Sequence, residues 1–86
     1  HSVDDASYQL EYQEFVTKFR VILKTLPETQ QRVITLSKIE QFSNKEIADK
    51  LSLSEQTVKN QLSLGLKTLK EKLGSHGIYL MLLFIN

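Results

Sequence analysis

The feature that most constrains the fold is a break in hydrophobic phase within the run NKEIADKLSLSEQTVKNQL. Ile47 and Leu51 are four residues apart, but Leu53 follows only two residues later. Val58 and Leu62 then resume the four-residue step. A single amphipathic helix repeats its apolar residues at steps of three and four, so one helix cannot hold all five positions on one face. The run therefore predicts two short helices that meet at a tight turn, a helix-turn-helix.

Both predicted helices have start signals in the sequence. Ser43 is followed three residues later by Glu46, which is the pattern of a capping box. Ser54 is placed to cap the second helix. The small Ala48 fits the point where the two helices come closest. We therefore expect the first of these helices to span residues 44–51 and the second to begin after Ser54, with Leu53 and Val58 closing the small core between them.

An aromatic-rich stripe predicts a long amphipathic helix ahead of this motif. Apolar residues recur at steps of four and three between residues 7 and 26. Asp4 or Asp5 is available to cap the helix, and Pro27 ends it because the residue before a proline avoids the α region. We interpret the stripe as ordinary core packing. Its members are Tyr8, Tyr12, Phe15, Phe19, Ile22 and Leu26.

The helix that follows Pro27 is expected to run to about Ile39 and to bury Val33 and Leu36. Ile34 and Ile39 are further core candidates. Phe42 is expected to pack inward just before the third helix, as a hydrophobic staple.

The fourth helix is expected to end near Gly74, as a glycine C-cap. Gly65 in its interior costs about 1 kcal/mol relative to alanine, so a close packing partner is expected there. The chain before residue 74 thus predicts an all-α fold, a small helical bundle with a C-terminal helix-turn-helix. The apolar positions of the fourth helix are Val58, Leu62, Leu66, Leu69 and Leu73.

The run Ile78 to Ile85 is apolar at all eight positions and is shorter than the roughly 20 residues of a membrane-spanning helix. Exposing so many apolar side chains is unfavourable, so the tail must find a surface. It can pack on the aromatic stripe, exchange with a second copy of the chain, or dock on another protein, and we favour the first. The chain divides into residues 1–26, a linker and long amphipathic helix; residues 27–74, the helix-turn-helix domain; and residues 75–86, the apolar tail.

Composition excludes several functions. There are 11 Lys and Arg against 10 Asp and Glu, yet residues 56–73 contain four lysines and one glutamate, so this segment is locally basic. The absence of cysteine removes disulfides and cysteine-based zinc sites and fits an intracellular protein. The histidines His1 and His76 lie far apart, and no glycine-rich phosphate loop or metal-ligand spacing occurs. We therefore predict no enzyme activity, no catalytic residues, no cofactor and no metal.

In a helix-turn-helix, the exposed residues at the start of the second helix reach base edges in the major groove of DNA. Amides pair with adenine, lysine donates to guanine, glutamate accepts from cytosine, and hydroxyl groups serve either way. The competing interpretation is a solvated polar face on a helix that binds protein. With Val58 inward, the predicted base-contacting residues are Ser54, Glu55, Gln56, Lys59, Asn60 and Ser63, with Thr57 at the margin.

Two lysines are predicted to contact phosphate, Lys45 in the third helix and Lys67 further along the fourth. Each is equally well explained as a plain surface lysine. A partly buried ion pair between Arg32 and Glu46 is a further hypothesis, and the alternative is that both side chains are solvated.

A series of spaced features occurs in order between Leu26 and Leu73: Leu26-Pro27, Arg32-Val33, Leu36, Glu46-Ile47-Ala48, Leu51, Ser54, Thr57-Val58-Lys59, Leu69 and Leu73. With these features the run resembles region 4 of bacterial RNA polymerase sigma factors, most closely the extracytoplasmic-function class. Compared with that family, Ser52 stands where the turn often has glycine, and Gly65 replaces a small alanine. The recognition helix has no arginine, which does not fit a strong preference for guanine.

The resemblance implies binding to the −35 element of double-stranded promoter DNA and to the RNA polymerase core, whose β flap-tip helix occupies an apolar face of such domains. It also implies an anti-sigma factor as a further partner. Because His1 stands where a methionine is expected, the chain is interpreted as a fragment that a region 2 would precede. The rival family is the output domain of LuxR-type regulators, and the rival from another class is a helix-turn-helix used only to bind protein.

Overall fold

The computed structural model of the chain describes residues 2–77, with side chains for residues 9–74, 76 and 77. Within this part there are four α-helices and no β-strand, which confirms the predicted all-α fold. The side chain of Tyr8 and the apolar run Ile78–Ile85 lie outside the described residues, so their packing stays a prediction. The helices are α1 (Ser2–Thr25), α2 (Glu28–Ile34), α3 (Asn44–Leu51) and α4 (Glu55–Leu73).

The helix boundaries follow the local signals, with one exception. α3 and α4 begin directly after the predicted caps Ser43 and Ser54, and α4 ends at Gly74, whose φ is +56°. However, α1 begins about one turn earlier than expected, so Asp4 and Asp5 lie inside the helix and the predicted cap is wrong. The reason is that no glycine or proline interrupts the chain before residue 7. Among the described helices, none is both long and apolar enough to cross a membrane.

A π-helical segment, Thr35–Ile39, extends α2. The Glu40 backbone N–H donates to the Thr35 carbonyl oxygen at 3.0 Å, five residues back. This wider turn changes the angular position of every residue after it. As a result Ile39 is 56% exposed, so its prediction as a core residue was wrong, whereas Leu36 is half-buried.

The first cluster of buried residues, which we call the α1–α4 core, joins α1 to α2 and α4. Phe15 is fully buried and Phe19 is nearly so, as predicted for the aromatic stripe. Tyr12 is 43% exposed, so it lies at the edge of this core instead of inside it, with its ring centroid 5.9 Å from that of Phe15. The members of the α1–α4 core are Phe15, Phe19, Ile22, Leu23, Leu26, Ile34, Leu69 and Leu73.

The second cluster, which we call the helix-turn-helix core, lies between α2, α3 and α4. Val58 is fully buried, and Ala48 lies beside it, as the sequence predicts. Leu53 and Phe42 pack against the cluster from the two loops. Its members are Val33, Ile47, Ala48 and Val58, with Leu36, Phe42, Leu51, Leu53 and Leu62 partly buried against them.

Gly65 in α4 has the close neighbour that the sequence predicts. A Cβ at this position would overlap Cδ1 of Ile34 and would lie 3.3 Å from Cγ1 of the same side chain. α2 and α4 can therefore approach closely at this point because position 65 has no side chain. This close approach connects the two cores, since Ile34 belongs to the first and its neighbour Val33 to the second.

Candidate nucleic-acid interface

The start of α3 is fixed by the predicted capping box. The Glu46 backbone N–H donates to Ser43 Oγ at 3.1 Å, and the Ser43 backbone N–H donates to Glu46 Oε1 at 2.9 Å. The hydrogen bond from the Ser43 backbone, together with the one from its side chain, lowers the pKa of the Glu46 carboxyl below its ordinary value of 4.5. The two bonds satisfy N–H groups at both sides of the helix start and set the direction in which α3 leaves the loop.

The turn between α3 and α4 is made by Ser52 in a left-handed conformation, with φ 56° and ψ 45°. The Leu53 backbone N–H donates to the Ala48 carbonyl oxygen at 2.9 Å, which closes the end of α3. The left-handed backbone agrees with the family resemblance, in which Ser52 stands where the turn often has glycine. The turn directs Leu53 into the helix-turn-helix core and lets α4 begin two residues later.

The start of α4 is capped by Ser54. The Thr57 backbone N–H donates to Ser54 Oγ at 3.0 Å, and Ser54 Oγ donates to Thr57 Oγ1 at 2.9 Å. The cap therefore uses the hydroxyl groups of both residues, while other N–H groups of the first turn stay available to an anion at the positive end of the helix dipole. Thr57 is half-buried, in line with its marginal position in the predicted set.

The polar residues at the start of α4 form one exposed surface. Because Val58 is fully buried in the helix-turn-helix core, the opposite side of the helix must face solvent. The structure brings the sequence-predicted residues together here, although their contacts with DNA stay a prediction. The exposed members are Ser54, Glu55, Gln56, Lys59, Asn60 and Ser63. We call this surface the recognition face.

Two amides on the recognition face are hydrogen-bonded to each other. Gln56 Nε2 donates to Asn60 Oδ1 at 3.0 Å, across one turn of α4. Sequence reasoning placed both residues outward but missed this pairing. The signal was present in the sequence, because side chains four residues apart on a helix are neighbours.

The predicted phosphate-contacting lysines are both exposed, Lys45 in the first turn of α3 and Lys67 in the second half of α4. Lys67 lies about 20 Å along the helix axis from the Ser54 cap, at 1.5 Å per residue. Sequence reasoning did not single out Lys70, which is also exposed. Lys50 has a structural contact instead, with its Nζ 4.5 Å from the centroid of the Phe42 ring.

The hypothesis of an ion pair between Arg32 and Glu46 was wrong. Both side chains are exposed, and the Glu46 carboxylate is used by the capping box. An ion pair within the described chain joins His76 Nε2 to Glu14 Oε2 at 3.6 Å, which ties the 3₁₀ turn Gly74–His76 to α1 when the imidazole is protonated. Among residues 2–77, no group of three or more His, Cys, Asp or Glu side chains is placed to hold a metal ion.

A second surface feature lies away from the recognition face. A groove of about 300 Å³ runs along α2 and the π-helical segment, and the exposed Ile39 belongs to the same segment. None of the groove residues comes from α3 or α4, so a duplex on the recognition face need not cover them. The groove is lined by Gln31, Arg32, Thr35, Leu36 and Glu40.

A comparison with protein families identifies a family for this chain. The family model described as sigma-70, region 4, matches residues 17–69, more than half of the 86-residue chain. No curated protein and no solved structure matches the chain. The matched range begins inside α1 and ends in α4, so it contains α3, the turn, both caps and most of α4. The division of the chain at residues 26 and 74 stays a prediction.

Proposed function

Because the chain belongs to the sigma-70 region 4 family, a family of DNA-binding domains, we propose that it binds double-stranded promoter DNA at the −35 element and directs transcription initiation by bacterial RNA polymerase. The observation that carries this proposal is the recognition face, which is exposed above the fully buried Val58. Such an activity belongs in the bacterial cytoplasm, and the absence of cysteine fits that location.

The chemistry of the recognition face supports base contacts in the major groove. Gln56 and Asn60 offer amide donors and acceptors, Lys59 offers a donor, and Glu55 offers an acceptor. Ser54, Thr57 and Ser63 add hydroxyl groups that serve as donor or acceptor. Because no arginine lies in α4, the bidentate arginine contact to guanine is absent from this face.

Phosphate contacts are proposed for Lys45 in α3 and Lys67 in α4, both of which are exposed. Such contacts raise affinity and set the register of the protein on the duplex without reading sequence. They also release counterions, so binding must weaken as salt rises.

For the polymerase, we propose that the groove along α2 and the π-helical segment receives the β flap. The support is an exposed apolar side chain, Ile39, in the same π-helical segment as the half-buried Leu36, which lines the groove. Since the groove and the recognition face are built from different helices, DNA and polymerase can bind together. We propose that an anti-sigma factor, as expected for the extracytoplasmic-function class, covers the same surface.

The test of DNA binding uses the full chain and a pool of duplexes with randomised sequence, measured by gel shift across a range of salt concentrations. Promoter binding predicts a steep fall in affinity with salt. Lys67→Ala should weaken binding to all sequences and lower the salt slope by about one unit. Lys24→Ala is the matched control, because Lys24 is an exposed lysine in the last turn of α1 and should leave the slope unchanged.

Affinity that is absent or insensitive to salt would contradict the DNA-binding proposal and favour a helix-turn-helix that binds only protein. The rival LuxR-type output domain also predicts DNA binding, so the salt experiment does not separate it from a sigma domain. Binding to core polymerase does, because the flap contact is expected only of the sigma domain.

The polymerase contact is tested with a pair of charge-introducing variants. Ile39 and Val21 are similarly exposed, at 56% and 60%, so Ile39→Asp and Val21→Asp place the same charge at comparable surface positions. We expect Ile39→Asp to abolish capture of core polymerase while DNA binding is retained, and Val21→Asp to leave both unchanged. Equal loss of polymerase capture in the two variants would contradict the proposed site.

A further inference from the structure

Two side chains of the recognition face, Gln56 and Asn60, are hydrogen-bonded to each other. Gln56 and Asn60 are both exposed, one turn apart on α4, and the Gln56 amide donates to the Asn60 carbonyl oxygen at 3.0 Å. Within residues 2–77, no other hydrogen bond of these two side chains competes with this one. The two amides therefore face a duplex as one hydrogen-bonded pair.

The hydrogen bond determines what the pair has left to offer. A primary amide has one carbonyl oxygen and one NH₂ group. With Gln56 Nε2 bonded to Asn60 Oδ1, the groups that take no part in the bond are the Gln56 carbonyl oxygen and the Asn60 NH₂, while the bonded NH₂ and the bonded oxygen keep one hydrogen and one lone pair. Exchanging the oxygen and nitrogen of both amides gives the same result with the residues reversed. Either way the pair presents one wholly unengaged acceptor group and one wholly unengaged donor group.

This combination of an acceptor and a donor matches the major-groove edge of one base. In the major groove, adenine presents an acceptor, N7, beside a donor, the N6 amino group. Guanine presents two acceptors, cytosine a donor alone, and thymine an acceptor beside a methyl group. We infer that Gln56 and Asn60 act as one hydrogen-bonded unit that reads adenine in an A·T pair, an inference that rests on the proposed DNA-binding function.

The mutual bond also prepares the pair for binding. A free glutamine side chain loses much rotamer freedom when it is held on a base. Here part of that loss has already occurred, because each amide holds the other in place. Removal of either side chain therefore frees its partner to rotate and to offer its own donor and acceptor, so the two residues are expected to act together in base selection.

The test is selection of duplexes from a randomised pool by the full chain, followed by sequencing of the bound fraction. The proteins compared are the unchanged chain, Gln56→Ala, Asn60→Ala and the double variant. Alanine favours helix and both positions are exposed, so folding should be retained, which circular dichroism checks. Gln13→Ala, at an exposed glutamine on α1, is the matched control.

We expect the unchanged chain and Gln13→Ala to enrich adenine at one position of the site. Each single variant should reduce that preference by about tenfold, and the double variant should reduce it no further than the single ones. Gln56→Glu gives a sharper result, because a carboxylate supplies only acceptors and should move the preference toward cytosine at the same position.

Two outcomes overturn the inference in distinguishable ways. Selection of a specific site whose adenine preference is the same in all variants, or whose losses simply add, contradicts the coupled pair but leaves promoter binding intact. No salt-dependent retention of any duplex by the unchanged chain contradicts the proposed function itself, and the inference fails with it.

Discussion

The two cores of this chain are built from different kinds of contact. The α1–α4 core unites large side chains from the two ends of the described chain, such as Phe15 on α1 and Leu73 on α4. The helix-turn-helix core unites small aliphatic side chains from neighbouring helices, such as Ala48 and Val58. The helices α3 and α4 start at side-chain caps, whereas α2, which contributes to both cores, starts at Pro27 without a side-chain cap hydrogen bond.

The difference shows how stability and function are divided in so small a domain. Burial of aromatic and leucine side chains supplies most of the stabilisation of the α1–α4 core. The helix-turn-helix core buries less area, but local hydrogen bonds fix its geometry, and that geometry decides which side of α4 faces outward. Side chains deep in the first core should therefore matter most for unfolding, and those around the second for the recognition face.

The largest expected effect comes from the α1–α4 core. Phe15→Ala removes a fully buried aromatic side chain and should lower the free energy of unfolding by about 3–5 kcal/mol. Tyr12→Ala is the control on the same helix, because Tyr12 is 43% exposed and should cost about 1 kcal/mol. Urea denaturation followed by circular dichroism measures both. Similar losses in the two variants would mean that Phe15 does not anchor this core.

The connection between the two cores is tested at Gly65. Gly65→Ala places a methyl group against Ile34 and should destabilise the chain by about 1–3 kcal/mol through overpacking. Ile34→Val removes the overlapping Cδ1 and alone should cost about 1 kcal/mol. In the double variant the two changes should compensate, which gives a coupling energy of about 1 kcal/mol or more. Strict additivity would contradict the close contact of α2 and α4.

Loss of the α4 cap tests whether local hydrogen bonds fix the geometry of the helix-turn-helix core. Ser54→Ala removes the oxygen that accepts from the Thr57 backbone N–H and should lower stability by about 1 kcal/mol. Since Ser54 also belongs to the recognition face, DNA affinity should fall as well. Ser63→Ala is the control, as Ser63 is exposed on the same face but does not cap the helix. Equal stability of the two variants would show that the cap is dispensable.

Substitution of the turn residue should have a smaller effect of opposite sign. Ser52→Gly relieves the left-handed conformation at φ 56°, but glycine also gains freedom in the unfolded chain, so a net stabilisation of about 0.5 kcal/mol is expected. Gln41, at φ 62° before α3, should respond in the same way. Destabilisation by glycine at both positions would contradict the observed backbone geometry.

The smallest effect is the pH dependence of the capping box. The hydrogen bond from the Ser43 backbone lowers the pKa of Glu46, so this carboxylate stabilises the folded chain above pH 4.5, and the contribution is lost as pH falls through the lowered value. Glu46→Gln keeps the capping pattern without a titrating group and should flatten stability against pH in mildly acid solution. Glu71→Gln controls for the removal of one charge. An unchanged acid profile would contradict the role of Glu46.

The sequence predicts the parts of the fold that local signals specify. The capping box of Ser43, the cap of Ser54 and the phase break around Leu53 give the bounds of α3 and the start of α4. Gly65 likewise signals its own close contact, although the partner Ile34 is identified only by the structure. The caps and the phase break depend on residues that are close together in the sequence, so the sequence alone is enough to predict them.

The errors arise where tertiary structure or helix geometry overrides the simple pattern. The π-helical turn moves Ile39 out of the core, and regular helical spacing gives no sign of such a turn. The sequence identifies every exposed position of the recognition face, because the inward direction of Val58 determines which residues of α4 point outward. The bond between Gln56 and Asn60 depends on side-chain rotamers, which residue spacing permits but does not determine.

We propose that the first half of α4, oriented by the helix-turn-helix core, is the surface that meets DNA. The most direct measurement is the titration of an isotope-labelled full chain with the duplex selected from the randomised pool, followed by amide NMR. We expect the largest shifts within residues 54–63, with smaller shifts at Lys45 and Lys67. Shifts that centre on α1 or on the groove residues Gln31 to Glu40, with residues 54–63 unaffected, would contradict it.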